Sequence, residues 1–415
     1  MILDRHIFDR LKSTKVLQNY SYLSALNIVS ALVGFLIYPY IIRTLGAEQY
    51  GLYAFLLAIA LYFQDLIDFG FDSPCTKRAA ISAGDKEELS RTVSVVFYCK
   101  LVLIFLSLCI ALPVVILIPI LRENLWLFAI IFVQNLYKTF YPQWYYLGTK
   151  NMKFSSILQA VIRISQIPLT LILVRTEADL IVYSAIISGT MLAGSFVGGA
   201  NVLMHGVKLV KVSPVYMLEY FREATPFFVT TISGRVKEKT LTSIIGAFFG
   251  MRDVAIYDLA NKIIQIPKLL LNSINAALFP EVVTNPTPQR VAKILKYERL
   301  IALGTILSIV LLGYPAALVL GGRDMVQAYP VALILSFTIY FSLIAGAYLQ
   351  FVFVARGAYR HVALNQLFAL ISCLCLCAIG MWIYPSVWSV ALSLSLSTAG
   401  EVLYCRFFSK SLIKE

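Results

Sequence analysis

Charge is scarce in this chain of 415 residues: only 14% are charged, against 59% hydrophobic, and the mean hydropathy is +0.79. Soluble domains carry about 25% charged residues, so an ordinary soluble protein is excluded. Alternating ten-residue segments are also lacking, which excludes a membrane β-barrel. No hydrophilic stretch is long enough to form a domain. That removes a soluble catalytic domain, a large outer polymerase loop and a nucleotide-binding domain. The phosphate-loop pattern GxxxxGK[ST] is absent as well, so any transport must run on a gradient or on the cargo's own potential. The seven cysteines show neither CxxC nor Cys/His spacing. Cys99, Cys109, Cys373, Cys375, Cys377 and Cys405 lie in apolar stretches and Cys75 in a loop, where small thiols read as packing. His6, His205 and His361 are scattered, leaving no zinc site and no nucleophile–base set. The expectation is no metal, no cofactor, no catalytic residue and no enzyme.

What the chain does have is long apolar runs. Backbone groups in lipid must be satisfied within their own segment, so runs of about 20 residues mean helices. About twelve are readable. The first six run Val16–Ile42, Gly51–Phe71, Thr92–Leu121, Leu125–Leu147, Phe154–Val174 and Leu180–Met204. The second six run Phe221–Phe249, Val254–Leu278, Leu300–Leu320, Met325–Val354, Val362–Met381 and Val387–Cys405. The fold class is therefore an all-α integral membrane protein.

The loops orient it. Alternate loops and the two ends hold about 21 Lys and Arg, including Arg5, Arg10, Lys12 and Lys15, whereas the opposite loops hold about five. The basic side faces the cytoplasm, which places both termini there. Trp126, Trp382 and Trp388 then fall at the outer ends, as an aromatic belt requires. The basic N-terminal stretch precedes a full-length apolar span without a small-residue cleavage site, and reads as an uncleaved first helix. The net charge of +13 sits in these inner loops, so it is not a nucleic-acid footprint.

An internal repeat divides the chain. Gly46-Ala-Glu-Gln-Tyr-Gly51-Leu52-Tyr53 follows the first span, and Gly250-Met-Arg-Asp-Val-Ala255-Ile256-Tyr257 follows the seventh. Both read G-x4-[GA]-[LI]-Y at an outer turn. The expectation is two six-helix lobes, 1–210 and 211–415, related as parallel repeats and joined near Gly206–Pro214.

Within the spans lie cations where a cation costs about 2.5–3.5 kcal/mol on insertion scales. Arg235, Lys237 and Lys239 share the seventh span, Lys262 lies in the eighth, and Lys138 and Arg163 lie in the fourth and fifth. Lys100, Arg222 and Lys268 are further cations within spans. The structural alternative is internal pairing: Asp258 and Lys262 at i,i+4 share a face, and Glu238 can neutralise Arg235 or Lys239. Lys237 points away from Arg235 and Lys239, so it needs its own acidic partner or an irregular turn near Gly234. The excess over the carboxylates Asp65, Asp68, Glu238, Asp258 and Glu401 predicts a cationic cavity for an anionic cargo. In the fourth span Gln134, Lys138, Tyr141 and Tyr145 form one helical stripe of amide, cation and phenol, suited to sugars and phosphate. Asp65, Asp68 and Asp72 form an acidic stripe at i, i+3, i+7. It binds a coupling ion or pairs with Lys77, Arg78 or the first span at an inner gate. Asp258 and Glu238 share that pair of readings.

Three segments resemble a known family. They are Pro39-Tyr-Ile-Ile-Arg43-Thr-Leu-Gly46-Ala-Glu48-Gln-Tyr50-Gly51-Leu-Tyr53; Asp68-Phe-Gly-Phe71 with Lys77-Arg78 and Gly84-Asp85-Lys-Glu-Glu-Leu-Ser90; and Pro142-Gln-Trp144-Tyr145-Tyr146-Leu-Gly148 with Met152. They resemble the Wzx-type polysaccharide repeat-unit flippases of the multidrug/oligosaccharidyl-lipid/polysaccharide exporter superfamily. The motifs lie within the first 155 residues, while the twelve-span layout covers the whole chain. The resemblance implies a V-shaped pair of lobes with a central cavity, in the bacterial inner membrane. It implies the flipping of undecaprenyl-pyrophosphate-linked oligosaccharide, with membrane lipid and the polymerase and chain-length regulator of the same pathway as partners, by a functional monomer. Two competitors are an ion-coupled drug exporter of the same superfamily, whose usual cargo is cationic, and a membrane-embedded glycosyltransferase, which needs carboxylates at an aqueous face.

Overall fold

A computed structural model describes residues 15–284 and 288–414. Arg5, His6, Arg10 and Lys12 lie outside the described residues. Among those described, every regular element is helical. In chain order they are α1 (Lys15–Asp68), α2 (Asp72–Ile81), α3 (Lys86–Leu117), α4 (Pro119–Glu123), α5 (Leu125–Val133), α6 (Tyr137–Phe140), α7 (Gln143–Gly148) and α8 (Met152–Leu173). They continue with α9 (Leu180–Met204), α10 (Pro214–Phe248), α11 (Met251–Thr284), α12 (Pro288–Gly321), α13 (Ala328–Tyr348), α14 (Tyr359–Ile383) and α15 (Val387–Lys414). Each of the twelve expected spans has a helical counterpart, and among the described residues seven helical stretches are long and apolar enough to cross a membrane. Large side chains such as Phe105, Leu117, Trp126, Trp382 and Leu403 are exposed. Lipid is the solvent that tolerates such a surface.

Local chemistry sets the ends. Asp85 caps α3, its side chain accepting from the backbone N–H groups of Glu87 and Glu88 at 2.9 and 3.1 Å. Two acidic residues in that first turn also suit the positive end of the helix dipole. Thr176 and Asp179 form a capping box ahead of α9. Spans one and two are joined inside α1 at Gly46, with φ 75° and ψ 165°. The repeat partner Gly250 has φ 109° at the equivalent turn between α10 and α11. Both glycines supply a backbone geometry that a Cβ would oppose, which explains why the repeat begins on glycine.

The fourth span departs from expectation. Rather than one helix it comprises α5, a 3-10 turn at Gln134–Leu136, α6 and α7. Tyr141 is extended, with φ −109° and ψ 96°, because proline at 142 disfavours helical geometry in the residue before it. The stripe of Gln134, Lys138, Tyr141 and Tyr145 assumed helical periodicity throughout, so it does not persist as a single face.

The chain divides into two compact units. One contains the chain through Tyr40 together with Leu56–Thr231; the other contains Ile41–Phe55 and Ile232–Glu415. In the first unit, aromatic residues fill the core: Phe71, Tyr137, Tyr141, Trp144 and Tyr146 pack with Val95, Cys99 and Ala224. In the second, Ile344, Phe351, Phe353, Val402 and Cys405 pack together.

Candidate functional site

In the first unit the charges converge on Asp68, at the end of α1. Lys100 of α3 donates to Oδ1 at 3.1 Å and Lys138 of α6 donates to Oδ2 at 2.6 Å. Lys100 also donates to the carbonyl of Lys138 at 2.9 Å, and Lys138 lies 3.9 Å from Asp72. Asp68 and Lys100 are buried. A buried ammonium without a partner would be expelled or neutralised, so one carboxylate is bridging two cations. Asp68 therefore pairs with the third and fourth spans, not with Lys77 or Arg78 as its sequence neighbourhood suggested. Arg78 instead forks onto Glu223 at 2.7 Å and Glu219 at 3.0 Å, and lies 4.3 Å above the Tyr220 ring. Asp65 is buried one turn before Asp68.

The turn after Asp68 holds this arrangement. Phe69 has φ 42° and Gly70 φ 70°. A non-glycine residue in the left-handed region is strained and persists only where packing compensates. Here the Phe69 ring stacks on Phe228 with centroids 4.5 Å apart. A β-carbon at Gly70 would come within 2.6 Å of the Phe228 nitrogen. Asp-Phe-Gly-Phe is thus one device: an anion, a stacked ring, a close approach and a fully buried Phe71.

Around the break in the fourth span the phenols are committed to the protein. Tyr141 hydrogen-bonds Ser155 and accepts from Gln159 at 2.9 Å. Tyr146 donates to the Gly198 carbonyl at 2.7 Å. Tyr137, Tyr141 and Tyr146 stack in sequence at 5.2 and 5.6 Å. Trp144 and Tyr145 are buried with them, so they are core residues. Asn135 ties the 3-10 turn to α1 through the Ala60 carbonyl at 2.9 Å. Gln134 is buried, and its Nε2 has no acceptor among the described residues. Arg163 is half-buried on α8.

In the second unit, Lys237 donates to Glu401 across 2.7 Å, a pair buried between α10 and α15. This is the separate acidic partner that its helical position demanded. Asn365 joins them through the Glu401 carbonyl at 3.2 Å. Lys262 and Asp258 pair on α11, and Tyr50 completes the triad: its hydroxyl donates to Asp258 at 2.7 Å and accepts from Lys262 at 2.8 Å. Beside them Gly51 meets the Met251 carbonyl so closely that a β-carbon would lie 1.7 Å from its oxygen. The two copies of the repeat motif touch here. Glu238 lies 3.6 Å from Lys268, a partner not anticipated for it. Arg235 is exposed and Lys239 half-buried on α10.

Sequence reading thus located the charges but missed most of their partners. Lys100 and Glu401 were visible as charges inside spans, with nothing local to say what they met. Tyr50 carried no signal beyond its place in the repeat. No His/Cys/Asp/Glu group able to hold a metal occurs among the described residues.

Residues 16–285 match the family described as "Polysaccharide biosynthesis protein". A protein of Escherichia coli (strain K12) named "Putative O-antigen transporter" is 26% identical over 314 residues, 75% of this chain and 74% of that one. A protein of the same name from Shigella dysenteriae is 25% identical over 261 residues, 60% of this chain and 62% of that one. Among solved structures, an inward-facing multidrug resistance MATE family transporter of the MOP superfamily aligns with a TM-score of 0.71 at 14% identity. It covers 94% of this chain and 95% of its own. A MOP superfamily transporter from Pyrococcus furiosus aligns at 0.57 and 15% identity over 95% and 93%. These two likenesses establish the fold. The resemblance to the flippases read from the first 155 residues is borne out: the chain belongs to the polysaccharide biosynthesis protein family, and it is a multi-pass membrane transporter, not an enzyme.

Proposed function

We propose that the chain flips undecaprenyl-pyrophosphate-linked oligosaccharide repeat units from the cytoplasmic to the periplasmic leaflet of the bacterial inner membrane by alternating access, with both termini cytoplasmic. The observation that carries this reading is the excess of cations inside membrane-spanning helices of a polysaccharide biosynthesis protein. The names of the Escherichia coli and Shigella relatives support the cargo class. Arg163, Arg235 and Lys239 are assigned to the anionic cargo. Lys138, held by Asp68 and near Asp72, is assigned to stabilising the first unit. Gln134, with an unmet donor, is assigned to sugar oxygens. Lys237 and Lys262, each held by a carboxylate, are assigned to stabilising the second unit.

The energetics are compatible with this direction. A pyrophosphate diester carries about two negative charges, and with an inside-negative potential its outward movement gains about 2.3 kcal/mol per charge per 100 mV. The protein must replace the hydrogen bonds that the head group loses to water, and cations with amides do so at the depth where water is absent. A cationic drug would meet the wrong sign of charge.

The test is complementation of a deletion strain, read as surface polysaccharide. Arg235→Ala and Lys239→Ala are each expected to cripple export at normal membrane abundance. Full complementation by both variants would remove the head-group role from α10.

A further inference from the structure

In the second unit, the turn from α13 into α14 is fastened to the end of α15. The turn is closed by its own backbone: the Gly357 N–H donates to the Val354 carbonyl at 3.0 Å and the Ala358 N–H to the Phe353 carbonyl at 2.8 Å. His361 then joins it to α15. Its ring packs on Phe353 at 5.6 Å and on Phe408 at 5.2 Å between centroids, and its Nδ1 lies 3.4 Å from the Tyr404 hydroxyl. Tyr404 and Phe408, one helical turn apart, are thereby committed to the protein. Leu403, Arg406 and Phe407, at i, i+3 and i+4, form a different face of α15, and all three are exposed.

The charge here is of one sign. Residues 349–364 and 402–414 hold Arg356, Arg360, Arg406, Lys410 and Lys414 and no aspartate or glutamate. Other surface arginines are neutralised, Arg78 by Glu219 and Glu223 and Arg91 by Glu88. Arg360 and Arg406 are exposed, and neither guanidinium has an ion pair or hydrogen bond among the described residues. Tyr359, next to Arg360, is 66% exposed, and Phe407, next to Arg406, is 74% exposed. A guanidinium fork matches the paired oxygens of a phosphate. Exposed rings beside such cations suit the head-group level of a bilayer. Leu403 and Phe407 share the face of Arg406, so the matching anion carries apolar chains; a soluble phosphate offers these two side chains nothing.

We propose that this surface binds an anionic phospholipid of the surrounding bilayer, with its phosphodiester at Arg360 and Arg406 and its acyl chains along Leu403 and Phe407. Basic clusters directly beside membrane-spanning helices recognise anionic lipid in this way. None of these residues is assigned to cargo, so the site goes beyond the flippase reading and holds whatever the chain transports. The His361 stack gives it a fixed frame, because it ties the segment bearing Arg360 to the segment bearing Arg406.

The test titrates the full chain, in neutral detergent, with phosphatidylglycerol and reads bound lipid by native mass spectrometry. Phosphatidylglycerol is expected to bind about tenfold more tightly than phosphatidylcholine with the same acyl chains, and Arg360→Gln/Arg406→Gln to lose about that factor. Arg122→Gln/Arg323→Gln, which removes two exposed arginines elsewhere, is expected to bind as the parent does. Leu403→Ser/Phe407→Ser keeps the charges and is expected to weaken phosphatidylglycerol binding as well, so the test stays decisive if the arginine variant misfolds. Equal binding of phosphatidylcholine, or unchanged binding by either folded variant, would overturn the proposal. So would displacement of the lipid by glycerol phosphate, which lacks the chains. Displacement by polyprenyl pyrophosphate at a lower concentration than phosphatidylglycerol itself would give the surface to the cargo and overturn it too.

Discussion

At the scale of single residues, several of the charges inside the spans are held by a carboxylate. Lys237 and Glu401 form a buried pair, and removing one partner of such a pair leaves an uncompensated charge, at a cost of about 3–5 kcal/mol. Lys237→Met is therefore expected to lower thermal stability strongly in detergent. The double variant Lys237→Met/Glu401→Leu is expected to recover most of the loss; additive destabilisation would show that the two side chains do not act as a pair. Asp258 and Lys262 allow a different test, because the Tyr50 hydroxyl can donate to one and accept from the other in either order. Exchange to Asp258→Lys/Lys262→Asp is expected to restore export that each single variant loses. Persistent failure of the double variant, measured beside both singles, would move Lys262 to the cargo list.

At the scale of elements, the sequence was legible where one helix spans one apolar run. Leu180–Met204 was read to the residue, and Met152–Leu173 to within two. Long apolar runs in lipid leave the backbone no alternative to a helix. It was not legible where tertiary contacts override the period. The fourth span reads as continuous hydrophobicity, yet Asn135 anchors to α1 and Pro142 forces Tyr141 out of the helix. Pro142 was visible; the consequence, that the Gln134–Tyr145 stripe has no common face, follows only once the break is placed. The paired outer turns show the converse. Gly46 and Gly250 were matched by pattern alone, and both adopt positive φ. The same motif placed Gly51 against Met251, where even a methyl group has no room. Gly51→Ala is expected to destabilise the second unit by about 1–3 kcal/mol through overpacking. A thermal midpoint unchanged from the parent would mean that the two turns part freely.

At the scale of the whole molecule, composition excluded a soluble protein and a β-barrel and left a polytopic helical membrane protein. What composition did not reveal is which cations are internally compensated: pairing depends on residues far apart in the chain, such as Lys100 with Asp68 and Lys237 with Glu401. Burial adds a further reading. Cys75 is packed in the aromatic core of the first unit, whereas Cys375 is exposed. A small membrane-permeant thiol reagent is accordingly expected to modify Cys375 and spare Cys75 in the folded protein, as peptide mapping would show. Labelling of Cys75 at the rate of Cys375 would mean that this core opens.

The central claim is that the chain moves an anionic lipid-linked glycan across the bilayer and leaves the glycan unchanged. The direct measurement uses purified protein in sealed vesicles with radiolabelled undecaprenyl-pyrophosphate oligosaccharide in the inner leaflet and an inside-negative potential. The account predicts that the label becomes accessible to an external glycosidase at unchanged glycan length, faster with the potential than without it, and that Arg235→Ala/Lys239→Ala abolishes the movement. Label that stays protected in the presence of active, correctly oriented protein, or label that moves equally well through the double variant, would contradict it.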